Sequence, residues 1–268
     1  MNLADNATTS WIRRYHPAPG AGTRLVCFPH AGGSASYFHP VSARFAPDVD
    51  VVSLQYPGRQ DRRREPCVDT IARLADLVTN ELADLSDKPT VFFGHSMGAV
   101  LAFETAWRLE QRGARAPGAV LASGRRGPST VRDERIHERD DDGVLDEVRE
   151  LNRLDMTVIG DDEILRMALP AIRADYRAIE TYACPVGRRV RCPVTVLIGD
   201  QDPKVTAAEA ENWGEHTEGG FRMEVFPGGH FFLARHQSAV NGEILRELRA
   251  LGTPAAATPA LLSGRDST

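Results

Sequence analysis

The stretch VFFGHSMGAVLAFETAWRL, residues 91–109, places a serine between two glycines where an apolar run meets a helical pattern. The run before Gly94 predicts a buried strand, and the residues after Gly98 predict a helix. So tight a turn forces Ser96 into an unfavourable backbone conformation, and side chains at the glycines would collide with the strand and the helix. The Ser96 hydroxyl is then presented above the carboxyl end of a sheet, as a nucleophile requires; a serine that merely caps a helix is the alternative.

Short apolar runs alternate with helical patterns along most of the chain. Most of these runs are continuously apolar, which is typical of strands covered on both faces. Strands that alternate with helices indicate a mostly parallel, doubly wound sheet, so the sequence predicts an α/β fold. The predicted strands are residues 23–28, 49–56, 89–94, 118–124, 193–199 and 221–227, and the predicted helices are residues 69–85, 97–112 and 234–251.

One segment, residues 126–185, breaks this alternation because it contains no strand-like run. Charged, amphipathic helical patterns fill it, and we interpret it as a helical lid inserted between two strands; extra surface helices are the alternative. A lid gates access to a site and excludes water from it. The predicted organisation is one domain over residues 1–252, followed by a disordered tail over residues 253–268 that is rich in Ala, Pro and Thr.

The overall composition indicates a soluble, globular protein. The chain has 268 residues, of which 42% are hydrophobic and 26% charged, and its net charge is −5. A negative net charge argues against general nucleic-acid binding. No apolar run is long enough to span a bilayer, and the first residues lack the basic and apolar regions of a secretory signal. We therefore expect a cytoplasmic protein with no nucleic-acid or membrane partner.

The four cysteines are Cys27, Cys67, Cys184 and Cys192. None forms a C-x-x-C pair, and none clusters with histidine at the spacing of a zinc site. We expect all four to be reduced, with a disulfide between Cys184 and Cys192 as the alternative, and we expect no bound metal.

A serine alcohol is a poor nucleophile unless a base removes its proton. In GGHFFLARH, His230 follows the last predicted strand, and the two glycines before it allow the loop to approach another loop. His95 lies inside the turn at Ser96, where we expect its side chain to point away from the hydroxyl. His230 is therefore the predicted general base.

The base in turn needs a carboxylate that fixes its tautomer and stabilises its charged form. The stretch PVTVLIGDQDP ends a predicted strand with two candidates, Asp200 and Asp202. We favour Asp202 because it lies further into the loop, whereas Asp200 directly follows Gly199 and is suited to brace that turn. The chain order of Ser96, Asp202 and His230 is that of α/β-hydrolases.

The tetrahedral intermediate of acyl transfer needs hydrogen-bond donors for its oxyanion. The backbone N–H of Met97 is one donor, because it directly follows the nucleophile. The Gly-rich loop in LVCFPHAGGSASYF, residues 25–38, supplies the second. We assign that second donor to Ala31, with His30 as the neighbouring alternative.

Several stretches in combination resemble the signature blocks of type II thioesterases, the stand-alone editing enzymes of polyketide and nonribosomal peptide synthases. The resemblance runs from about Arg24 to Leu251 and is carried by FPHAGGSASYF, QYPGRQDRRREP, FFGHSMGAVLAFE, IGDQDP and FPGGHFFL. It implies an α/β-hydrolase fold with a helical lid. It also implies a catalytic triad of Ser96, Asp202 and His230, with oxyanion amides at Ala31 and Met97.

The activity implied by this resemblance is hydrolysis of acyl thioesters on the phosphopantetheine arm of an acyl or peptidyl carrier protein. Such hydrolysis clears misprimed or stalled chains. A thiolate is a good leaving group, so no metal or organic cofactor is expected. The rival hypotheses are a carboxylesterase or lipase that acts on oxygen esters, a thioesterase that cyclises its product, and a catalytically inactive binding module on a synthase.

Two further expectations concern the partner and the acyl pocket. The arginines of QYPGRQDRRREP could dock an acidic carrier protein or its phosphate; the alternative is a solvated loop in which they pair with Asp61 and Glu65. In the lid, Tyr176 and Met167 face inward if the helices have the phase that we read from the pattern, and the residues that line the acyl pocket are left unassigned. The arginines of QYPGRQDRRREP are Arg59, Arg62, Arg63 and Arg64.

Overall fold

The computed structural model describes residues 10–153 and 162–252, which form an α/β fold around a seven-stranded sheet. In the sheet the strands lie in the order β1-β3-β2-β4-β5-β6-β7, with β1 antiparallel to β3 and the other neighbours parallel. In chain order the strands are β1 (Ile12–Arg13), β2 (Thr23–Phe28), β3 (Val49–Leu54), β4 (Thr90–His95), β5 (Ala119–Ser123), β6 (Val194–Gly199) and β7 (Phe221–Phe226).

The helices follow the strands in the alternation that the sequence predicts. Between β5 and β6, however, the described residues contain two long helices and no strand. In chain order the helices are α1 (His39–Phe45), α2 (Ile71–Ala83), α3 (Met97–Gln111), α4 (Asp141–Arg153), α5 (Asp162–Glu180), α6 (Ala207–Glu211) and α7 (Gln237–Gly252).

Both faces of the sheet are buried, as the continuously apolar strands indicate. Successive residues of a strand point to opposite faces. In β2, accordingly, Val26 and Phe28 belong to the apolar cluster that includes α2 and α3. Leu25 and Cys27 belong to a second cluster that includes α7. The mostly parallel, doubly wound sheet predicted from the sequence is therefore confirmed.

The predicted elements agree with the observed ones to within three residues at each end. The strand β1 was not predicted, because two residues are too few to present a periodic pattern. It is held by pairing of Ile12 with Leu54 and of Arg13 with Ser53. The predicted tail, residues 253–268, lies outside the described residues.

The segment between β5 and β6, residues 126–185, is helical where it is described, and we call it the helical insertion. Its helices α4 and α5 share a small apolar cluster that includes Leu145, Ile172 and Tyr176. The prediction that Tyr176 faces inward is confirmed, but the same prediction for Met167 is wrong, since Met167 is 70% exposed. Nine residues of α-helix turn through about 900°, which places these two side chains on opposite faces.

The four cysteines are all free, so their predicted reduced state is confirmed. The alternative, a disulfide between Cys184 and Cys192, is wrong. Among the described helices, none is both long and apolar enough to cross a membrane.

The first turn of α3 crosses the end of β2 at very short range. A Cβ atom added to Gly98 would lie 2.0 Å from the carbonyl oxygen of Phe28 and 2.7 Å from that of Pro29. Likewise, a Cβ atom added to Gly94 would lie 2.1 Å from the carbonyl oxygen of Gly98. Both contacts are with backbone atoms, which cannot rotate away as a side chain can.

We predict that Gly98→Ala lowers the free energy of unfolding by at least about 2–3 kcal/mol, because the new methyl group must displace the end of β2. Urea denaturation measures the change. The control is Gly22→Ala, because a Cβ atom there meets nothing within 4 Å. Equal stability of the two variants would contradict the short contact.

The last residue of β4, His95, is completely buried and packs behind the turn at Ser96. Its Nδ1 atom lies 3.0 Å from the hydroxyl of Ser123, so the ring bonds to the neighbouring strand, away from Ser96 as expected. Burial, reinforced by the nearby His230 and His30, holds the pKa of His95 well below its ordinary value of 6.5. Near pH 6, therefore, His95 binds a proton in the unfolded chain but stays neutral in the folded protein.

This difference in proton binding predicts acid destabilisation. The contribution of neutral His95 to the free energy of unfolding is complete above pH 6.5 and is lost as the pH falls below that value. The loss is about 1–1.5 kcal/mol between pH 7.5 and 5.5. Urea denaturation at both pH values should show a smaller loss for His95→Asn than for the wild-type protein. The same acid-induced loss in both proteins would show that His95 is not responsible.

Candidate active site

Ser96 occupies the sharp turn that the sequence predicts between β4 and α3. Its backbone dihedral angles are φ 56° and ψ −117°, and it is one of two non-glycine residues of positive φ in the described chain. The Ser96 N–H donates to the carbonyl oxygen of Ser123, at 2.7 Å. Positive φ is costly for a residue with a Cβ atom and persists only where the surrounding structure imposes it. The turn is therefore strained and fixed from both sides.

Ser96 lines a cavity of about 480 Å³ that lies between the sheet and the helical insertion. The loop after β2 contributes Ala31, and the loop after β7 contributes His230 and Phe231. The opposite wall comes from α4 and α5 and is largely apolar. Its apolar side chains are Val148, Leu151, Ile164, Leu165, Ala168, Ile172 and Ile179.

His230 and Asp202, both buried, form a hydrogen-bonded pair beside this cavity. The Nδ1 atom of His230 lies 3.0 Å from Oδ1 and 2.9 Å from Oδ2 of Asp202. With Asp202 ionised, Nδ1 carries the hydrogen and Nε2 remains as an acceptor. The N–H of Lys204 also donates to Oδ1 of Asp202, at 2.8 Å, which helps to fix the carboxylate. The structure thus brings together the predicted base and the favoured carboxylate, although 28 positions separate them in the chain.

Asp200, the less favoured carboxylate, braces the loop instead. Its Oδ1 atom accepts a hydrogen bond from the N–H of Gly228, at 2.9 Å. The N–H of Asp200 in turn donates to the carbonyl oxygen of Phe226, at 2.8 Å. Since Gly228 lies two residues before His230, Asp200 shapes the backbone that carries the imidazole.

Two backbone amides lie where the sequence predicts oxyanion donors. Met97 is the first residue of α3, directly after Ser96, and Ala31 lines the cavity. The N–H groups of the two residues after Ala31 are already engaged: that of Gly32 donates to Asp175, and that of Gly33 to the carbonyl oxygen of His30. Within the described ranges, no acceptor is recorded for the N–H of Ala31 or of His30. Both predicted candidates are therefore available, and Gly32 is not.

The side chain of His30 also lines the cavity, but it is electrostatically silent at neutral pH. Burial, with the nearby His230 and Arg59, lowers the pKa of His30 to about 3. Its ring packs edge-on against Tyr37 and Phe231, at centroid distances of 4.6 and 5.0 Å. A neutral His30 therefore adds no charge to the cavity.

One positive charge on the cavity wall makes no direct ion pair among the described residues, although Glu134 and Glu180 act on it at longer range. Arg125 is 8% exposed and lines the cavity, yet its guanidinium makes no recorded ion pair or hydrogen bond in residues 10–153 and 162–252. Lys204, by contrast, pairs with Glu134 and Glu147. Burial lowers the pKa of Arg125 to about 9, which still leaves it charged at neutral pH. Sequence analysis did not identify this residue, because nothing local distinguishes it from Arg126.

The arginines after β3 do not behave as one surface patch. Arg59 is buried against Asp175 of α5, so neither docking nor pairing with Asp61 or Glu65 describes it. Arg62 is also buried and pairs with Glu65, as the loop alternative expects.

Arg62 also stacks over the ring of Trp11, with 4.4 Å between the guanidinium carbon and the ring centroid. Asp61, for its part, pairs with Arg13. Arg63 and Arg64 are exposed and remain the members of this group that a partner can reach.

Sequence analysis missed Asp175, which joins α5 to the loop that carries Ala31. The signal was present, since Asp175 interrupts the apolar stripe that Ile172, Tyr176 and Ile179 form on α5. A charged residue inside such a stripe needs a buried partner. That partner, Arg59, lies 116 positions away, which local pattern does not show.

Comparison with known proteins identifies the family of this chain. The family model described as a thioesterase domain matches residues 23–249. A probable cadicidin biosynthesis thioesterase of Streptomyces griseus is 64% identical over 248 residues, which cover 92% of this chain and 68% of that protein. The thioesterase PikA5 of Streptomyces venezuelae is 48% identical over 224 residues, or 83% of this chain and 80% of that protein.

Among solved structures, the type II thioesterase BorB from the borrelidin biosynthetic cluster has a similar fold. The TM-score is 0.87 at 46% sequence identity, with 91% of this chain and 100% of that chain covered. The chain therefore belongs to the thioesterase domain family, among its type II thioesterases.

Proposed function

We propose that this chain hydrolyses acyl thioesters on the phosphopantetheine arm of acyl or peptidyl carrier proteins. In this role it clears misprimed or stalled chains during polyketide or nonribosomal peptide biosynthesis. The observation that carries the proposal is the buried His230–Asp202 pair, whose imidazole lines the same cavity as Ser96 on its strained turn. Membership of the thioesterase family supports the choice of a thioester over other acyl substrates.

The first half-reaction is transfer of the acyl group to Ser96. The Ser96 oxygen attacks the thioester carbonyl carbon while Nε2 of His230 takes the hydroxyl proton, and Asp202 stabilises the resulting imidazolium. The N–H groups of Met97 and Ala31 donate to the oxyanion. The carbon–sulfur bond then breaks, and His230 returns the proton to the departing thiol.

The second half-reaction releases the acid. Water replaces the thiol, His230 removes a proton from it, and the resulting hydroxide attacks the acyl-enzyme carbonyl through the same oxyanion donors. Collapse of the tetrahedral intermediate returns the proton to Ser96. No step in this scheme calls for a cofactor.

The helical insertion acts as the lid in this proposal. Its apolar side chains, such as Leu151, Leu165 and Ile172, supply the wall against which an acyl chain is buried. A cover of this kind limits the access of bulk water to the acyl-enzyme. The carrier protein itself would meet the enzyme at the cavity mouth. Arg63 and Arg64 are the exposed arginines of the loop after β3 that are left for its acidic surface.

We predict that Ser96→Ala abolishes both turnover of acyl-pantetheine thioesters and labelling by a fluorophosphonate, because the attacking oxygen is gone. The control is Ser238→Ala, which removes an exposed hydroxyl on α7 and should retain both. Matched oxygen esters should be poorer substrates than thioesters. Faster oxygen-ester hydrolysis would favour a carboxylesterase, and failure of folded wild-type protein to label would favour a binding module.

We also predict that Asp202→Asn lowers kcat by about 10³–10⁴-fold with little change in KM, because an amide nitrogen facing Nδ1 favours the wrong tautomer of His230. Asp200→Asn is the matched control, since its side-chain oxygen can still accept from Gly228. The kcat of Asp200→Asn should fall by no more than about tenfold. Steady-state kinetics on a carrier-loaded acyl group measure both. A larger loss at Asp200 would mean that the roles of the two carboxylates are reversed.

A further inference from the structure

Asp175 joins the helical insertion to the loop that carries Ala31. It lies on α5, its side chain is completely buried, and both carboxylate oxygens are used. Oδ2 accepts from the N–H of Gly32 at 2.8 Å and from Nη1 of Arg59 at 2.7 Å. Oδ1 accepts from Nη2 of Arg59 at 3.0 Å. One carboxylate thus connects three segments that are distant in the chain.

Arg59 is held in place from the other side by the same loop. Its Nη1 atom also donates to the carbonyl oxygen of Gly33, at 3.0 Å, and its guanidinium carbon lies 5.1 Å from the ring centroid of Tyr56. Burial disfavours the charged guanidinium, but the Asp175 carboxylate outweighs this effect, so the pKa of Arg59 lies above its ordinary value. Arg59 therefore stays charged, and the Asp175 carboxylate balances its charge inside the protein.

The helix α5 also contacts Gly32 through apolar atoms. Gly32 has φ +74°, and a Cβ atom added there would lie 2.7 Å from Cγ1 of Ile172. Ile172 and Asp175 are three residues apart and therefore on the same face of α5. The conformation of Gly32 thus depends on where this face of the helix sits.

The peptide unit that Asp175 holds is the one that follows Ala31. The N–H of Gly32 belongs to the same rigid plane as the carbonyl group of Ala31, so a hydrogen bond to it restricts the backbone of Ala31. Glycines follow at positions 32 and 33, and glycine restrains its own backbone least of all residues. The Gly33 N–H bond to the His30 carbonyl oxygen restrains the plane that carries the Ala31 N–H, and the carboxylate restrains the next plane. The direction of the Ala31 N–H depends on both restraints, and loss of the carboxylate removes one of them.

We propose that Asp175 is a positioning residue, through which the seating of α5 against the β2–α1 loop sets the oxyanion donor at Ala31. This inference rests on the proposed thioesterase function and goes beyond it, since it makes catalytic competence depend on the insertion. Asp175 does not line the cavity, but Ile172 and Tyr176 beside it on α5 do. An acyl group that lifts α5 would therefore be bound and yet hydrolysed slowly.

The test separates binding of a tetrahedral oxyanion from binding of the acyl chain. The first probe is a trifluoromethyl ketone analogue of acyl-pantetheine. The Ser96 oxygen adds to its carbonyl carbon, the hydroxyl proton passes to His230, and the ketone oxygen becomes an oxyanion at the two N–H donors. A matched thioether, in which CH₂ replaces the carbonyl group, occupies the same cavity without an oxyanion. Asp175→Asn keeps the size of the side chain and replaces one acceptor oxygen with an NH₂ group. Both Asp175 oxygens accept from N–H donors, so in either orientation that NH₂ group faces a donor of Gly32 or Arg59 and pushes it away.

For Asp175→Asn we expect kcat and the affinity for the ketone to fall by the same factor, on the order of 10- to 100-fold, because one donor is displaced. The affinity for the thioether should be unchanged. All values are taken per active site, counted by fluorophosphonate titration. If Asp175→Asn does not fold, Asp175→Glu retains the charge, displaces the acceptor and should show the same difference between the two analogues.

Two controls separate positioning from simple stabilisation. Arg59→Lys weakens the ion pair but leaves the acceptor for Gly32, so it should lower stability with a smaller loss in kcat. Asp162→Asn removes an exposed ion pair with Arg149 between α4 and α5, and should leave all the constants unchanged.

Equal weakening of both analogues, or unchanged kcat in folded Asp175→Asn, would overturn the inference. Neither result would affect the proposed function. That proposal fails separately, if the wild-type enzyme does not hydrolyse thioesters.

Discussion

The site depends on a contact in which a side chain has no room. At Gly98 the backbone of α3 passes so close to the carbonyl oxygen of Phe28 that only hydrogen fits between them. This approach allows α3 to begin one residue after the turn and to point its amino end at the end of β2. The Ser96 hydroxyl and the loop that carries Ala31 therefore face the same cavity. A wider separation of helix and strand would move the two apart.

Around that contact, the sheet fixes the chemistry and the insertion fixes the shape of the cavity. Strands β6 and β7 pair in parallel up to Gly199 and Phe226, so the loops that follow them emerge side by side. One loop delivers Asp202 and the other His230. The insertion is packed on its own small cluster, which includes Ile136 and Leu169, and it covers the site from above. Rigid sheet ends suit proton transfer, and packed helices suit the burial of an acyl chain.

Much of this arrangement could be predicted from the sequence, because it is written in local patterns. Continuous apolar runs located the strands, and the glycines around Ser96 located the turn. The favoured carboxylate, Asp202, and not Asp200, pairs with His230. Pairings over a long distance could not be predicted. The partner of Arg59 lies on a helix more than a hundred residues away, and the phase error at Met167 arose because a helical pattern alone does not say which face meets the core.

The carboxylate of Asp175 also limits how this enzyme can be altered. Ile172 and Tyr176, which line the cavity, are its neighbours on the same helix, so exchanging α5 for another sequence would exchange all three together. A chimera made to accept a different acyl chain would need an acid at the corresponding turn of the new helix. Replacing α5 would thus change substrate range and reactivity together. Single substitutions at the far ends of α4 and α5 are the safer route to changing substrate range alone.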